Sequence, residues 1–382
     1  MKNIHTVFES LKLHSVIINF NILLVFAALL VNISIGWRSY PGPTDGTAAS
    51  YRAYGWAYGR ITGAIGFREP APVFPVRLLQ SAGVPVPLGA KICGVAAFAI
   101  LVFLTLVFIR KRYGAIAGAI GALFLAASPY FCYYAVRGPG EILPILFFLG
   151  FWHFIEKDDL SFKNLAAAAL CAALAALSKI IFFFFVLAGL AIWVLNDRFA
   201  KRLRFACYSA LLVCALISPY LAAQASVFGR PFSLQENILR QWRNTAIEGP
   251  ILEAPFSGGP LGPAQFMFGE GPRRSAVRFA SGLKEVFLSG LPELAFYKIE
   301  LFFGLLGLVF LFMKKSRHFA SLFFIFILPT AFIAAAEQLP AGGGIESRFY
   351  LGAFWLACAY AGFGFQELLE TLKQFLVTDG VK

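Results

Sequence analysis

The sequence predicts an all-α polytopic integral membrane protein with about ten transmembrane helices and two long extracytoplasmic segments. Hydrophobic residues make up 59% of the 382 residues, charged residues make up 14%, and the mean hydropathy is +0.73. A water-soluble domain of this length cannot bury so much apolar surface. Apolar stretches long enough to cross about 30 Å of hydrocarbon recur along the chain. We expect them to be helical, because a helix satisfies its own backbone hydrogen bonds in lipid.

The first apolar run, Ser15 to Trp37, predicts a retained span. It is longer than the apolar core of a signal peptide and ends in Ile-Gly-Trp-Arg, without a small-residue cleavage site. Nine further spans are predicted at Pro87–Ile109, Ala115–Tyr130, Glu141–Ile155, Leu165–Leu177, Ile180–Leu195, Leu203–Ala222, Leu294–Met313, Phe319–Ala336 and Phe349–Phe365. Between Asn164 and Asn196, two short helices that hinge at Ser178-Lys179 are favoured. One long span with an interfacial helix is the alternative there.

The distribution of basic residues predicts the orientation. Basic clusters at 110–112, 198–204 and 314–317 alternate with loops that carry one basic residue each: Arg137, Lys179 and Arg348. The positive-inside rule places the clusters, and with them both termini, in the cytoplasm. The chain is therefore expected to lie in the cytoplasmic (inner) membrane, with its active site facing the outside or the periplasm.

This orientation divides the chain into a membrane domain, residues 1–366, and a cytoplasmic tail, residues 367–382. Residues 38–86 form the first outer loop and residues 223–293 the second. Both long loops are themselves basic, but long loops weigh less in the rule. Within the second loop, the residues from Arg273 to Leu288 predict a short basic amphipathic helix lying on the headgroups, or a mobile flap over an acceptor.

The net charge of +13 exceeds what topology requires. The arginines on the expected outer side include Arg52, Arg60, Arg68, Arg77, Arg230, Arg240, Arg243, Arg273, Arg274 and Arg278. They favour anionic headgroups, pyrophosphates or acidic glycans as ligands and not nucleic acid. The alternative is that these arginines anchor at the interface. The cysteines show no paired spacing and the histidines are scattered, so no metal site or cofactor is expected. The sequence leaves a divalent metal requirement open.

Four stretches on the expected outer side carry polar groups at the membrane rim. A charge at a helix centre costs about 2.5–3.5 kcal/mol, so such groups usually mark a site. The four stretches contain Asp45 with Tyr51, Arg52 and Arg68 through Pro75; Ser128-Pro129-Tyr130 with Arg137 and Glu141; Lys179; and Glu346-Ser-Arg348-Phe-Tyr350.

The order of these motifs resembles the GT-C membrane glycosyltransferases over about residues 14 to 366, and most closely the protein-O-mannosyltransferase and lipid A aminoarabinose-transferase type. The matching features are an Asp in the first outer loop, a Pro-x-Pro stretch before the second span, Ser-Pro followed by Arg and Glu, Ser-Lys between two short spans, Phe-Gly-Arg-Pro at 228–231, and Arg-Phe-Tyr at the last span. Gly46 follows Asp45, where the family commonly has a second carboxylate.

The resemblance implies inverting transfer of a sugar from a polyprenyl-phosphate donor to a lipid, glycan or protein acceptor on the non-cytoplasmic face. Asp45 occupies the position of the family's general base. The chemistry itself requires a base for the acceptor hydroxyl proton and cations for the departing phosphate. Lys179 and Arg348, with Arg137 as a further candidate, are predicted to hold that phosphate. The remaining predicted substrate-binding residues are Glu141, Tyr51, Arg52 and Arg68.

Each of these residues also has a structural interpretation. Asp45 is a possible N-cap, Lys179 a possible snorkelling side chain, and Arg348 a possible partner of Glu346 or Glu337. Arg137 and Glu141 are a possible i, i+4 helix pair. The loop tyrosines are a possible interface belt.

Two other functions stay open at the level of sequence. One is a transporter or flippase for a lipid-linked saccharide, although the charges crowd one rim and no two-fold repeat is visible. The other is an inactive GT-C-like assembly subunit, which the missing second carboxylate keeps open.

Overall fold

The computed structural model of the chain describes residues 2–40, 69–157, 161–196, 199–228, 271–295, 298–314, 317–337 and 347–379. Within these ranges the regular structure is helical and no strand occurs. The helical fold class predicted from composition is therefore confirmed for the described part of the chain.

The helix bounds in chain order are α1 Lys2–Ser39, α2 Val73–Ser81, α3 Val86–Tyr113, α4 Ala115–Ala127, α5 Pro129–Arg137, α6 Leu143–Ile155, α7 Phe162–Ser178, α8 Phe182–Asn196, α9 Phe199–Phe228, α10 Pro272–Glu285, α11 Leu291–Leu294, α12 Ile299–Met313, α13 Arg317–Glu337 and α14 Leu351–Asp379. Short 3-10 turns cover Pro139–Glu141 and Ser347–Tyr350, and a π turn covers Val286–Gly290. Each predicted span overlaps one of the helices α1, α3, α4, α6, α7, α8, α9, α12, α13 and α14, but the predicted span Ala115–Tyr130 crosses the break at Ser128, and Leu294–Met313 begins five residues before α12. The amphipathic segment predicted from Arg273 forms α10 and the π turn.

Fewer of these helices are long enough to cross a membrane than the sequence predicts. By length and composition, the described residues contain three such helices, Asn21–Ser39, Val86–Tyr113 and Lys201–Ala222, or four if α4 and α5, bent by 59°, count as one span. Five further apolar helices among the described residues, Pro139–Ile155, Phe162–Ser178, Phe182–Leu195, Ile299–Met313 and Ser321–Ala331, have 10–17 residues, which at 1.5 Å per residue is shorter than about 30 Å of hydrocarbon. The count of ten spans thus stays a prediction.

The hinge predicted at Ser178-Lys179 is confirmed. The helix α7 ends at Ser178 and α8 begins at Phe182, with Lys179 between them in an extended conformation (φ −159°, ψ 110°). This geometry shows that no continuous helix runs through the segment; whether both helices span the membrane stays a prediction. Near the C-terminus, α14 runs without a break through residue 366 to Asp379. Much of the expected cytoplasmic tail, residues 367–382, is therefore a continuation of the last helix.

Close glycine contacts hold α12 against α14. A Cβ atom on Gly307 would overlap the carbonyl oxygen of Tyr360, and one on Gly364 would overlap that of Phe303. Small residues at such positions let two helix backbones approach closely, which is the usual basis of helix association in lipid. The buried Trp355 of α14 also donates from Nε1 to Thr105 Oγ1 of α3 at 2.9 Å.

We expect Gly307→Ala to destabilise the protein by about 1–3 kcal/mol, because the added methyl group overpacks the α12–α14 contact. Thermal unfolding of the purified protein in detergent measures the change. Val309→Ala is the matched control, since Val309 lies on the same helix and is 53% exposed. Equal unfolding temperatures for the two variants would contradict the close contact.

The bundle has two chemically different ends. One end, here called the loop end, contains the C-termini of α1, α4 and α7 and the N-termini of α3, α6, α8 and α14. The opposite end, here called the basic end, contains an Arg112–Glu156 ion pair and a Lys314–Glu367 ion pair of 2.6 Å. The helix order thus gathers the basic clusters at one end and the candidate site residues Glu141, Lys179 and Arg348 at the other.

Candidate functional site

The hinge between α7 and α8 places a lysine at the loop end. The Ser178 hydroxyl donates to the Leu174 carbonyl at 2.7 Å, which satisfies this buried group within its own helix. The chain then leaves the helix at Lys179 and re-enters a turn in which the Phe182 N–H donates to the Lys179 carbonyl at 2.8 Å. Because Lys179 stands outside both helices, its side chain can reach across to neighbouring helix ends.

Lys179, Glu141 and Arg348 form one ionic cluster. Lys179 Nζ contacts Glu141 Oε2, and Arg348 Nη1 lies 3.8 Å from Glu141 Oε1. The exposed fractions of the three side chains are 15%, 16% and 28%. Three distant parts of the chain therefore bring two cations and one carboxylate to the same partly buried place.

Phe349 supports both cations. Lys179 Nζ lies 4.5 Å and the Arg348 guanidinium carbon 5.1 Å from the centroid of its ring. Cations within about 6 Å of an aromatic face are attracted by its quadrupole. The cluster lies at a narrow cleft of about 10 Å³, whose apolar walls include Ile145, Phe182 and Phe185.

Local backbone geometry brings Glu141 to the cluster. The helix α5 ends at Arg137, Gly138 follows with φ of 134°, and the 3-10 turn Pro139–Glu141 redirects the chain. A side chain at position 138 would be strained at this φ, so glycine suits the bend. This break means that Arg137 and Glu141 do not lie on successive turns of one helix, and the predicted i, i+4 geometry is wrong.

Arg137 lies instead beside a group of tyrosines. Its guanidinium contacts the Tyr133 hydroxyl, with the guanidinium carbon 5.0 Å from the Tyr133 ring centroid. That ring packs edge-on against Tyr40 at 5.5 Å and against Tyr134 at 5.1 Å. Arg137 is thus held at the end of α5 by aromatic contacts.

Glu69 lies in one of the four polar stretches marked in the sequence, but it was not among the predicted site residues. Its Oε1 accepts a hydrogen bond of 3.0 Å from the Ile180 N–H. Two residues further on, the Ala71 N–H donates to the Leu177 carbonyl at 3.0 Å. Helix ends leave N–H and carbonyl groups without partners, and the segment at Glu69–Ala71 supplies partners for both sides of the hinge. The segment at Glu69–Ala71 is thereby fixed next to Lys179.

Burial and neighbouring charges act on the titratable groups of this cluster. Burial raises the pKa of Glu69, against the lowering effect of the Ile180 N–H and of Lys179. Burial lowers the pKa of Lys179, against the raising effect of the Glu141 carboxylate. The partners thus oppose the effect of burial on the pKa of each group, so the removal of one partner shifts the pKa of the others.

We expect Glu69→Ala to destabilise the protein by about 1–3 kcal/mol, because the Ile180 N–H loses its acceptor in a partly buried position. Glu69→Gln keeps an acceptor oxygen and should cost less. Thermal unfolding in detergent compares the two with Glu293→Ala, which removes an exposed carboxylate at α11. A cost for Glu69→Ala no larger than for Glu293→Ala would refute the hinge contact.

The structure tests only some of the predicted site residues. Asp45, Tyr51, Arg52 and Arg68 lie outside the described residues. Lys179 pairs with Glu141, which is not the snorkelling geometry. Arg348 lies beside Glu141. Glu346 and the Glu337 side chain, the two structural partners predicted for Arg348, lie outside the described residues. Among the described residues, no group of three His, Cys, Asp or Glu side chains is placed to hold a metal ion.

Comparison of the chain with models of protein families finds no match, and comparison with curated protein sequences finds none either. Two solved structures are similar to the chain over most of its length. One is the oligosaccharyltransferase AglB from Archaeoglobus fulgidus in complex with an inhibitory peptide and a dolichol-phosphate, at 12% identity and a TM-score of 0.49 over 95% of this chain. The other is ArnT from Cupriavidus metallidurans bound to undecaprenyl phosphate, at 13% identity and a TM-score of 0.44 over 91% of this chain.

The chain spans about half the length of the archaeal oligosaccharyltransferase (52%) and 78% of the length of ArnT.

Proposed function

We propose that the chain is an inverting glycosyltransferase that moves a sugar from a polyprenyl-phosphate donor to a lipid, glycan or protein acceptor. The observation that carries this proposal is the ionic cluster of Lys179, Glu141 and Arg348 at the hinge. Two cations meet at the mouth of an apolar cleft. That arrangement suits an amphiphile with an anionic head and a hydrocarbon tail.

The charge change of the reaction explains why two cations are useful. A sugar linked to a polyprenyl phosphate is a phosphodiester with one negative charge. The departing polyprenyl phosphate is a monoester, whose second proton dissociates with a pKa of about 6, so it carries nearly two negative charges at neutral pH. Cations placed at the phosphate therefore stabilise the transition state more than the bound donor, which is the condition for catalysis.

Glu141 has a distinct role in this proposal. Without donor, its carboxylate keeps both cations paired, and a buried cation without a partner would be strongly destabilising. When the donor binds, its phosphate takes over part or all of this pairing. Glu141 thus holds the two cations in place for an incoming phosphate.

Asp45 is the proposed general base, on the strength of the family resemblance and of its place in the first outer loop. The acceptor oxygen attacks the anomeric carbon as the bond from that carbon to the phosphate oxygen breaks. The proton of the acceptor hydroxyl passes to the Asp45 carboxylate, and the electron pair leaves on the phosphate. Glu69 belongs to the same predicted loop, and its hydrogen bond from the Ile180 N–H holds that part of the loop beside Lys179.

The proposal includes the cytoplasmic membrane as the location and its outer side as the side of transfer. The basic end then faces the cytoplasm, as the positive-inside rule requires, and the loop end faces the donor and the acceptor. Tyr51, Arg52 and Arg68 are proposed to contact the sugar or the acceptor.

Mass spectrometry of envelope lipids and glycans tests the proposal. Cells that lack the protein are compared with cells complemented by wild type or by Lys179→Ala. We expect one sugar mass to disappear without the protein and to return only with wild type, which also identifies sugar and acceptor. Unchanged lipids and glycans in the deletion would contradict a transferase, and full restoration by Lys179→Ala would remove the phosphate cluster from the mechanism.

A further inference from the structure

A second cleft lies at the basic end, opposite the site described above. It opens between the C-terminal part of α3 and the C-terminal part of α6 and has a volume of about 540 Å³, within the range of ligand pockets. Its walls are apolar and include Leu104, Val107, Phe108 and Leu149. The ionic cluster at the hinge plays no part in it.

The mouth of this cleft is basic. Four of the lining residues at the mouth are Lys111, Arg112, Glu156 and Lys157. Arg112 pairs with Glu156, whereas Lys111 and Lys157 are exposed. Counting the described lining alone, three cations face one carboxylate, which leaves an excess of two positive charges.

Aromatic rings hold two of the cations near the mouth. The Arg112 guanidinium carbon lies 3.8 Å from the centroid of the Phe108 ring, and Lys157 Nζ lies 4.6 Å from that of Phe154. Side chains fixed in this way lose less conformational entropy when they bind an anion.

An apolar strip leads from the cleft toward the middle of the membrane. On α3, Ile100, Phe103 and Val107 are 49%, 50% and 44% exposed. Their spacing of three and four residues places them on one helix face. Val107 lies both on this strip and in the cleft wall, so the strip and the basic mouth form one continuous amphiphilic surface.

We infer that this cleft is a binding site for an anionic phospholipid of the leaflet at the basic end. The headgroup phosphate lies between Lys111 and Lys157, and an acyl chain follows the strip from Val107 to Ile100. Charge complementarity selects an anionic over a zwitterionic headgroup, as in other basic pockets between membrane helices. The apolar wall and strip favour a lipid over a free phosphate, because a free phosphate gains nothing from them. This site is independent of the proposed transfer reaction.

Native mass spectrometry of the full-length protein in detergent tests this inference. The first binding step is titrated with phosphatidylglycerol and, separately, with phosphatidylcholine of the same acyl chains. We expect tighter binding of phosphatidylglycerol, and an affinity lower by about 30-fold in the double variant Lys111→Gln/Lys157→Gln. The matched control is Lys163→Gln/Lys373→Gln, which removes two exposed lysines near the same end but outside the cleft, and should leave the affinity unchanged.

Two further experiments test the inference. One distinguishes binding in the cleft from binding to a general basic surface, and the other distinguishes binding of a lipid from binding of a free anion. Val107→Trp fills the cleft from an exposed position and should weaken phosphatidylglycerol binding with every charge intact. Inorganic phosphate at millimolar concentration should not displace the lipid. Equal affinity for both lipids, an equal loss in the two double variants, full binding in Val107→Trp, or displacement by phosphate would each overturn the inference.

Discussion

Lys179→Ala is expected to lower kcat/KM for the polyprenyl-phosphate donor by about 10²–10³-fold, the usual cost of removing one preorganised group that stabilises transition-state charge. The variant loses the cation that contacts Glu141 and leaves that carboxylate with Arg348 at 3.8 Å. Arg348→Ala should act in the same direction. Lys179→Arg keeps the charge but changes its geometry, so it should retain part of the activity.

Lys91→Ala is the control for this prediction. Lys91 is a lysine at the same end of the bundle, and its ammonium donates to the Trp37 carbonyl at 2.6 Å, outside the ionic cluster. Steady-state kinetics with a purified donor, together with thermal unfolding, separates lost catalysis from lost folding. Wild-type kinetics in Lys179→Ala, or an equal loss in Lys91→Ala, would contradict the role of the cluster.

Asp45→Asn is expected to lower kcat by about 10²–10⁴-fold, the typical contribution of a positioned general base. The substitution keeps the size of the side chain and removes its ability to take the acceptor proton. It also separates the two interpretations of Asp45, because asparagine caps a helix N-terminus about as well as aspartate does. Unfolding temperature should therefore stay unchanged while turnover is lost.

Asp45→Ala completes this comparison. If Asp45 only caps a helix, Asp45→Asn should retain turnover, and Asp45→Ala should lose about 1 kcal/mol of stability. If Asp45 is the base, both variants should be inactive. Single-turnover kinetics on donor and acceptor, with unfolding measured in parallel, distinguishes the two results.

Hydrophobic patterning was enough to locate the helices and the hinge. An Ala-rich and a Phe-rich run separated by Ser178-Lys179 are each too short for a long span, and the chain breaks there. Length limits this kind of inference, however. A hydropathy window marks α6 as a span, but its 13 residues make a helix of only about 20 Å.

The candidate site was predicted as a set of residues but not as an arrangement. Lys179, Arg348 and Glu141 were recognised because charges at a membrane rim are costly. Their pairing was not predicted, because the Lys179–Glu141 contact joins residues 38 apart in the chain. The partner of Glu69 is 111 residues away, and no local pattern marks an acid that accepts a backbone N–H at a distant hinge. The prolines at positions 70 and 72 indicate only that this segment does not span the membrane.

The most direct test of the central claim is an experimental structure of the protein with polyprenyl phosphate bound. We predict phosphate oxygens within about 3–4 Å of Lys179 Nζ and of the Arg348 guanidinium, with the hydrocarbon chain against the apolar side chains beside Phe182. A phosphate bound elsewhere, with Lys179 still paired to Glu141 alone, would contradict it.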